Sequence, residues 1–216
     1  MSRLPRLIPA LLVATLLASC SNLIGGPKES PKLFAPVLHS QPNPQWPNVT
    51  WSLATSRSTN MQMLEGPGIV VSPTAGELQV YRGALWARSP GEMVEDSVLR
   101  TLEDSGKIRA VARQGSGMDA DYRLMLDIRE FRADYAGNPT PSATLDINAK
   151  LMHMRDQTLV GSQNFHVVQT ANATDINHVV TAFGQALDKL APDISGWVLT
   201  TGQAHELAAH KPDARR

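Results

Sequence analysis

Apolar residues recur at every second position along three stretches of the chain and at every third or fourth position along two others. Val49-Thr50-Trp51-Ser52-Leu53-Ala54 alternates and predicts a strand, and Gly68 to Val71, a β-branched run between Pro67 and Pro73, predicts another. Leu78 to Trp86 continues as an extended segment in which Gly83 is placed for a bulge. Ser89-Pro90-Gly91-Glu92 then combines an N-cap residue, a proline suited to the first helical position and an acid three residues after the cap. A helix is expected to follow, buried through Met93, Val94, Val98, Leu99 and Leu102 and closed by Gly106. Lys107 to Val111 reads as a brief strand. Tyr122, Leu124, Leu126 and Ile128 put four apolar groups on one face against Arg123, Asp127 and Arg129 on the other. Leu145, Ile147, Ala149 and Leu151 repeat the pattern, and a turn at Asp156-Gln157 leads to a third strand ending near Val168, so the three form a meander. From Thr174 or Asp175 a last helix presents Ile176, Val179, Val180, Phe183, Leu187, Leu190, Ile194 and Trp197, with Pro192 expected to kink or restart it.

The start of the chain follows another rule. Arg3 and Arg6 precede an uncharged run from Leu7 to Leu17, and Ala18-Ser19 stand before Cys20, the single cysteine. Leu17-Ala18-Ser19-Cys20 resembles the lipobox of bacterial lipoproteins, in which the cysteine thiol is lipidated and the new α-amino group acylated. Residues 1–19 are therefore read as a signal peptide and Cys20 as the lipid attachment site, with diacylglycerol and an N-acyl chain such as palmitate as the expected covalent groups. An ordinary secretory signal, leaving Cys20 a lone thiol, is the competing reading. The apolar run is shorter than the roughly 20 residues a spanning helix needs, so anchoring by lipid is expected. Residues 20–48, with Pro27, Pro31, Pro36, Pro42, Pro44 and Pro47, read as a semi-rigid tether, in which Leu33-Phe34 could dock as a short strand. A domain over 49–200 and a polar tail over 201–216 complete the organisation.

Loss of residues 1–19 removes Arg3 and Arg6 and no acid, which leaves 18 basic against 20 acidic side chains. That balance, with no Lys/Arg cluster, argues against a nucleic-acid partner. One cysteine excludes an intramolecular disulfide and a cysteine-based zinc site.

Trp86-Ala87-Arg88-Ser89-Pro90 after an extended segment resembles the Trp-Ala-x-x-Pro motif of the ABC-type transport auxiliary lipoproteins, the paraquat-inducible protein C-like group. The helix after it, Asp121-Tyr122-Arg123-Leu124, Ala143-Thr144-Leu145, Gly161-Ser162 before Phe165, and a helix closing in Trp197 occur in that family's order. The resemblance implies an α+β fold, a small antiparallel sheet covered on one face by two helices. It also implies an accessory subunit of a lipid transport system with mammalian-cell-entry (MCE) domains, carrying phospholipid or sterol-like cargo. Ser21 fits sorting to the outer membrane, with the domain facing the periplasm. The family carries no catalytic motif, and no enzymatic activity, cofactor or metal is expected.

Leu78, Val80, Leu85 and Trp86 are the candidate partner-binding residues, because an open sheet leaves strand edges for augmentation. The alternative is a lipid carrier holding an acyl chain between helices and sheet, for which Trp51, Trp86 and Trp197 could form a lining. His205-Glu206-Leu207-Ala208-Ala209-His210 has the wrong spacing for the zinc-protease helix, since histidines five apart lie about 140° apart around it. Gly115-Ser116-Gly117 precedes a strand and not the helix a dinucleotide loop needs. A two-residue turn at Asp156-Gln157 would place His166 opposite Ile147, away from His153.

Overall fold

The computed structural model describes residues 30–39, 41–56, 59–60 and 65–209. The signal peptide, Cys20 and His210 lie outside them. The chain divides between Pro31 and Lys32, and everything below concerns the unit that begins at Lys32.

Among the described residues that unit holds nine strands and two long helices. In chain order they are β1 (Lys32–Phe34), β2 (Ser52–Thr55), β3 (Thr59–Asn60), β4 (Gly68–Ser72), β5 (Gln79–Trp86), α1 (Pro90–Ser105), β6 (Ala110–Arg113), β7 (Tyr122–Asp134), β8 (Ser142–His153), β9 (Thr158–Thr170) and α2 (Ile176–Ala209). The α+β class stands, but the small antiparallel sheet does not: this is a larger mixed, curled sheet in which five of the eight strand pairings are parallel. The meander is present as β7–β8–β9. Along the other edge of β7 lie β2, β3 and β4 in turn, all parallel to it, at Tyr122–Leu124, Asp127–Ile128 and Ala133–Asp134. β2, β3 and β4 thus act as one interrupted strand. Beyond it the sheet parts into two wings, β6 on β2 and β5–β1 on β4. Periodicity reports which face a residue occupies and not the direction of its neighbour, so parallel pairings, which need long crossovers, were invisible to it.

Tyr122, Leu124, Leu126 and Ile128 are buried as expected, and so are Leu145, Ile147, Ala149 and Leu151 opposite. A bulge at Arg129 shifts the parity of β7, which lets Phe131 and Ala133 stay on the core face. Both helices pack on that face. Phe131 stacks on Phe183 of α2 at 4.8 Å, and the Trp86 ring meets Phe183 edge-on at 5.1 Å.

The first helix forms for the reasons its sequence supplies. Ser89 Oγ accepts from the Glu92 N–H while the Glu92 carboxylate accepts from the Ser89 N–H, Pro90 opens the first turn, and Gly106 closes the last with φ +61°. In α2 the Asp175 carboxylate accepts from the N–H groups of Asn177 and His178. Pro192 neither ends nor restarts this helix, which runs unbroken to Ala209. Leu190, Ala191 and Ile194 around it are fully buried, and that packing offsets the one backbone hydrogen bond that proline removes. The helix therefore absorbs nine residues assigned to the polar tail. From Lys32 the supposed tether is docked: β1 pairs with β5, Phe34, Pro36 and Leu38 turn half-buried sides to the domain, and the His39 N–H donates to Asp188 at 2.7 Å.

Candidate functional site

β5 is held on one side by β4 and on the other by β1, but β1 covers only Ala84–Trp86. Among the described residues no strand pairs with the β1-side edge of Gln79–Gly83. Gly83 takes φ +70°, and the register between β4 and β5 breaks between Gly68–Leu85 and Val70–Val80, so the expected bulge is present. It divides β5 into two parts with different fates. Before it, Leu78 and Val80 are 39% and 54% exposed; after it, Leu85 is half-buried and Trp86 is a core residue at 2%. Trp86 is thereby withdrawn from the partner-binding set, since its indole is spent on Phe131 and Phe183. Tyr81, between the exposed residues, turns inward, and burial first, then Tyr135, pushes its phenol up. Leu33 and Val37 on the docked N-terminal segment are further exposed apolar groups, and Leu33 lies beside Leu85 in the ladder.

Beyond the C-terminal ends of β1 and β5 a groove of about 360 Å³ opens between residues 35–38, Ala87-Arg88, α1 and α2. Met93 and Leu187 give it an apolar floor, and Arg88, Arg100 and Asp96 line it with charge. Asp96 and its neighbour Glu95, both nearly buried, are paired: Arg88 and Arg113 hold Asp96, while Arg113 and the Thr55 hydroxyl hold Glu95. The sequence reading missed these acids. On a helical wheel Asp96 falls on the polar face and gives no sign of its burial, whereas Glu95 falls between Leu102 and Leu99 within the apolar stripe. An acid in that stripe is the signal for Glu95, and its partners are Arg88, two residues past β5, for Asp96, and Arg113, the last residue of β6, for both acids.

The remaining polar candidates separate. His166 lies opposite Asp146, 3.8 Å from its carboxylate, and not opposite Ile147, because the turn spans Met154–Gln157 and a bulge at Val160 shifts the register. Gly115 and Gly117 form a left-handed turn, and β7 is the element that follows it. Trp197 rests against Phe165 at 5.9 Å and crosses β9 at Gly161, where a Cβ would come within 3.2 Å of the indole. Trp51 packs on Tyr122 at 4.7 Å. Three polar residues do converge: His153 and Asp156 at the β8–β9 turn meet His205 near the end of α2, the two imidazoles 5.0 Å apart. Fifty-two residues separate these histidines in the chain, and no local pattern links them. Among the described residues no helix is long and apolar enough to cross a membrane.

The family model for the ABC-type transport auxiliary lipoprotein component matches residues 32–195. The crystal structure of protein XCC0632 from Xanthomonas campestris is 45% identical and superposes with a TM-score of 0.77 over 81% of this chain and 99% of that one. A crystal structure of an uncharacterized protein at 17% identity and a TM-score of 0.60, covering 77% of this chain and 97% of its own, shares the fold. Uncharacterized protein bll6063 of Bradyrhizobium diazoefficiens is 23% identical over 185 residues, 85% of this chain, which spans about half the length of that relative. The match takes in the Trp86–Pro90 joint, the β7–β8–β9 meander and α2 as far as Ser195, and this chain belongs to the ABC-type transport auxiliary lipoprotein family.

Proposed function

We propose that this protein is a non-enzymatic lipoprotein subunit of an ABC-type, MCE-domain lipid transport system. It is anchored in the outer membrane through acyl chains on Cys20, faces the periplasm and docks the conduit there. Family membership supports the transport role, and Ser21 after Cys20 supports the outer-membrane address. The observation that carries docking is the half-strand Gln79–Gly83, unpaired on one edge among the described residues, with Val80 exposed on it and Leu78 just before it. An extended segment of a partner could continue the β1 ladder there and cover both side chains. The test is capture of the MCE-domain protein from detergent-solubilised membranes by a Leu78→Glu/Val80→Glu double variant. Capture is expected to fall at least tenfold while the thermal melt stays within 2–3 °C of the parent, about the shift of 1 kcal/mol at this size. Undiminished capture by the folded variant overturns this docking edge.

The carrier alternative has its own support in the groove bordered by Met93, Leu187 and Arg88. Its signature is lipid released on organic extraction of the purified protein and lost when Leu187 is replaced by Trp to fill the groove.

A further inference from the structure

We propose that His153, Asp156 and His205 form a binding site for a divalent late transition-metal ion of the zinc class. Such an ion would tie the β8–β9 turn to the last turns of α2. One ligating atom from each residue lies within 4.8 Å of those of the other two, and His153 Nδ1 is 2.9 Å from Asp156 Oδ1. Donors around a tetrahedral zinc, at bonds of about 2.0–2.2 Å, sit roughly 3.4 Å apart. Small side-chain rotations close that difference, and Asp156, half-exposed on its turn, is free to make one. Two imidazoles and a carboxylate are a borderline donor set, suited to zinc, nickel or copper and poorly suited to calcium or magnesium.

The surroundings of His205 match what such a ligand needs. Tyr122, fully buried, gives its one phenolic proton to Glu206 Oε1 at 2.7 Å, so its oxygen accepts from His205 Nδ1 at 2.8 Å. By this network the lone pair of His205 is assigned to Nε2. A ring nitrogen tied to a hydrogen-bond acceptor in this way sets the tautomer and orientation of metal-ligating imidazoles. Three protein ligands leave a coordination position for water or for a donor from a partner. His166 and His178 each face one carboxylate, and neither belongs to a three-ligand cluster among the described residues.

The experiment uses the untagged full-length protein in detergent, freed of metal by chelator, with Zn2+ as the probe in calorimetry and thermal melts. One ion is expected to bind per chain, with a rise in Tm of roughly 5–10 °C at a hundredfold excess over Kd. His153→Ala and His205→Ala should each weaken binding at least tenfold. Tyr122→Phe, which keeps the ring and removes the hydroxyl, should weaken it about 10–100-fold. Asp156→Asn, on the exposed turn, gives the same readout without touching the core should either histidine variant fail to fold in chelator. Absence of saturable binding overturns the site. So does binding that survives Asp156→Asn and His153→Ala together, or that is lost only with His166, His178 or His210.

Discussion

Asp121 joins the start of β7 to β2. Its carboxylate accepts from both the N–H and the hydroxyl of Ser52 at 2.8 Å, and Arg109 pairs with the same oxygen at 2.9 Å. Burial pushes this carboxyl up, but the Ser52 hydrogen bonds and the positive charges of Arg109 and Arg155 outweigh it, and the net shift is downward from 3.8. A folded state that holds its proton less tightly than the unfolded chain is stabilised above the ordinary carboxylate range, and loses that contribution as pH falls through it. Asp121→Asn should therefore cost about 1 kcal/mol at pH 7, a modest value because the arginine is more than half exposed. In urea titrations the gap between parent and variant should narrow at pH 3; a gap that stays constant would mean the carboxylate charge contributes nothing. The Trp86–Pro90 motif is also explained residue by residue. Trp86 fills the core, the Ala87 N–H donates to the Phe34 carbonyl, Arg88 pairs with Asp96, Ser89 caps α1 and Pro90 opens it. What reads as a family signature is a joint between β1, β5 and α1.

Among the elements, α2 acts as the rail on which the N-terminal segment lies. A Cβ at Gly184 would sit 2.9 Å from the Val37 carbonyl oxygen, one at Gly196 2.7 Å from the Trp46 indole nitrogen, and one at Gly202 2.5 Å from the Trp51 ring. These glycines let the chain from Val37 to Trp51 approach the helix closely, and this is why a proline-rich stretch is docked and not a free tether from Lys32. Gly184→Ala should raise helix propensity by about 1 kcal/mol yet lower stability by up to about 2 kcal/mol net, since the atom it meets is backbone and cannot rotate away. Urea denaturation gives the sign, and faster proteolysis within residues 37–48 would locate the cause; a stabilised variant with unchanged cleavage would show that the segment shifts without cost.

Across the molecule the proposed docking edge and the proposed metal site attach to the two ends of β7, through β4 at Ala133 and at Tyr122 itself. The eleven steps of strand from Tyr122 to Ala133, one of them at the bulge, set those attachment points at most about 36 Å apart. Changes at sites so separated should add. Leu78→Glu/Val80→Glu is thus expected to leave the zinc-induced rise in Tm unaltered, and His153→Ala to leave partner capture unaltered. Interdependence in either measurement would reveal coupling through the sheet. Local chemistry was enough to specify much of this protein: the capped α1, the long α2 stripe, the bulge at Gly83, and the core faces of β7 and β8 follow from side-chain period and cap residues within a few positions of one another. Pairing direction in the sheet, the docking of residues 32–39 and 41–48, the continuity of α2 through Pro192 and the meeting of His153 with His205 depend on contacts between residues far apart in the chain. Side-chain period carries no record of those contacts, because it reports only whether a residue faces the core and never which distant segment it meets there.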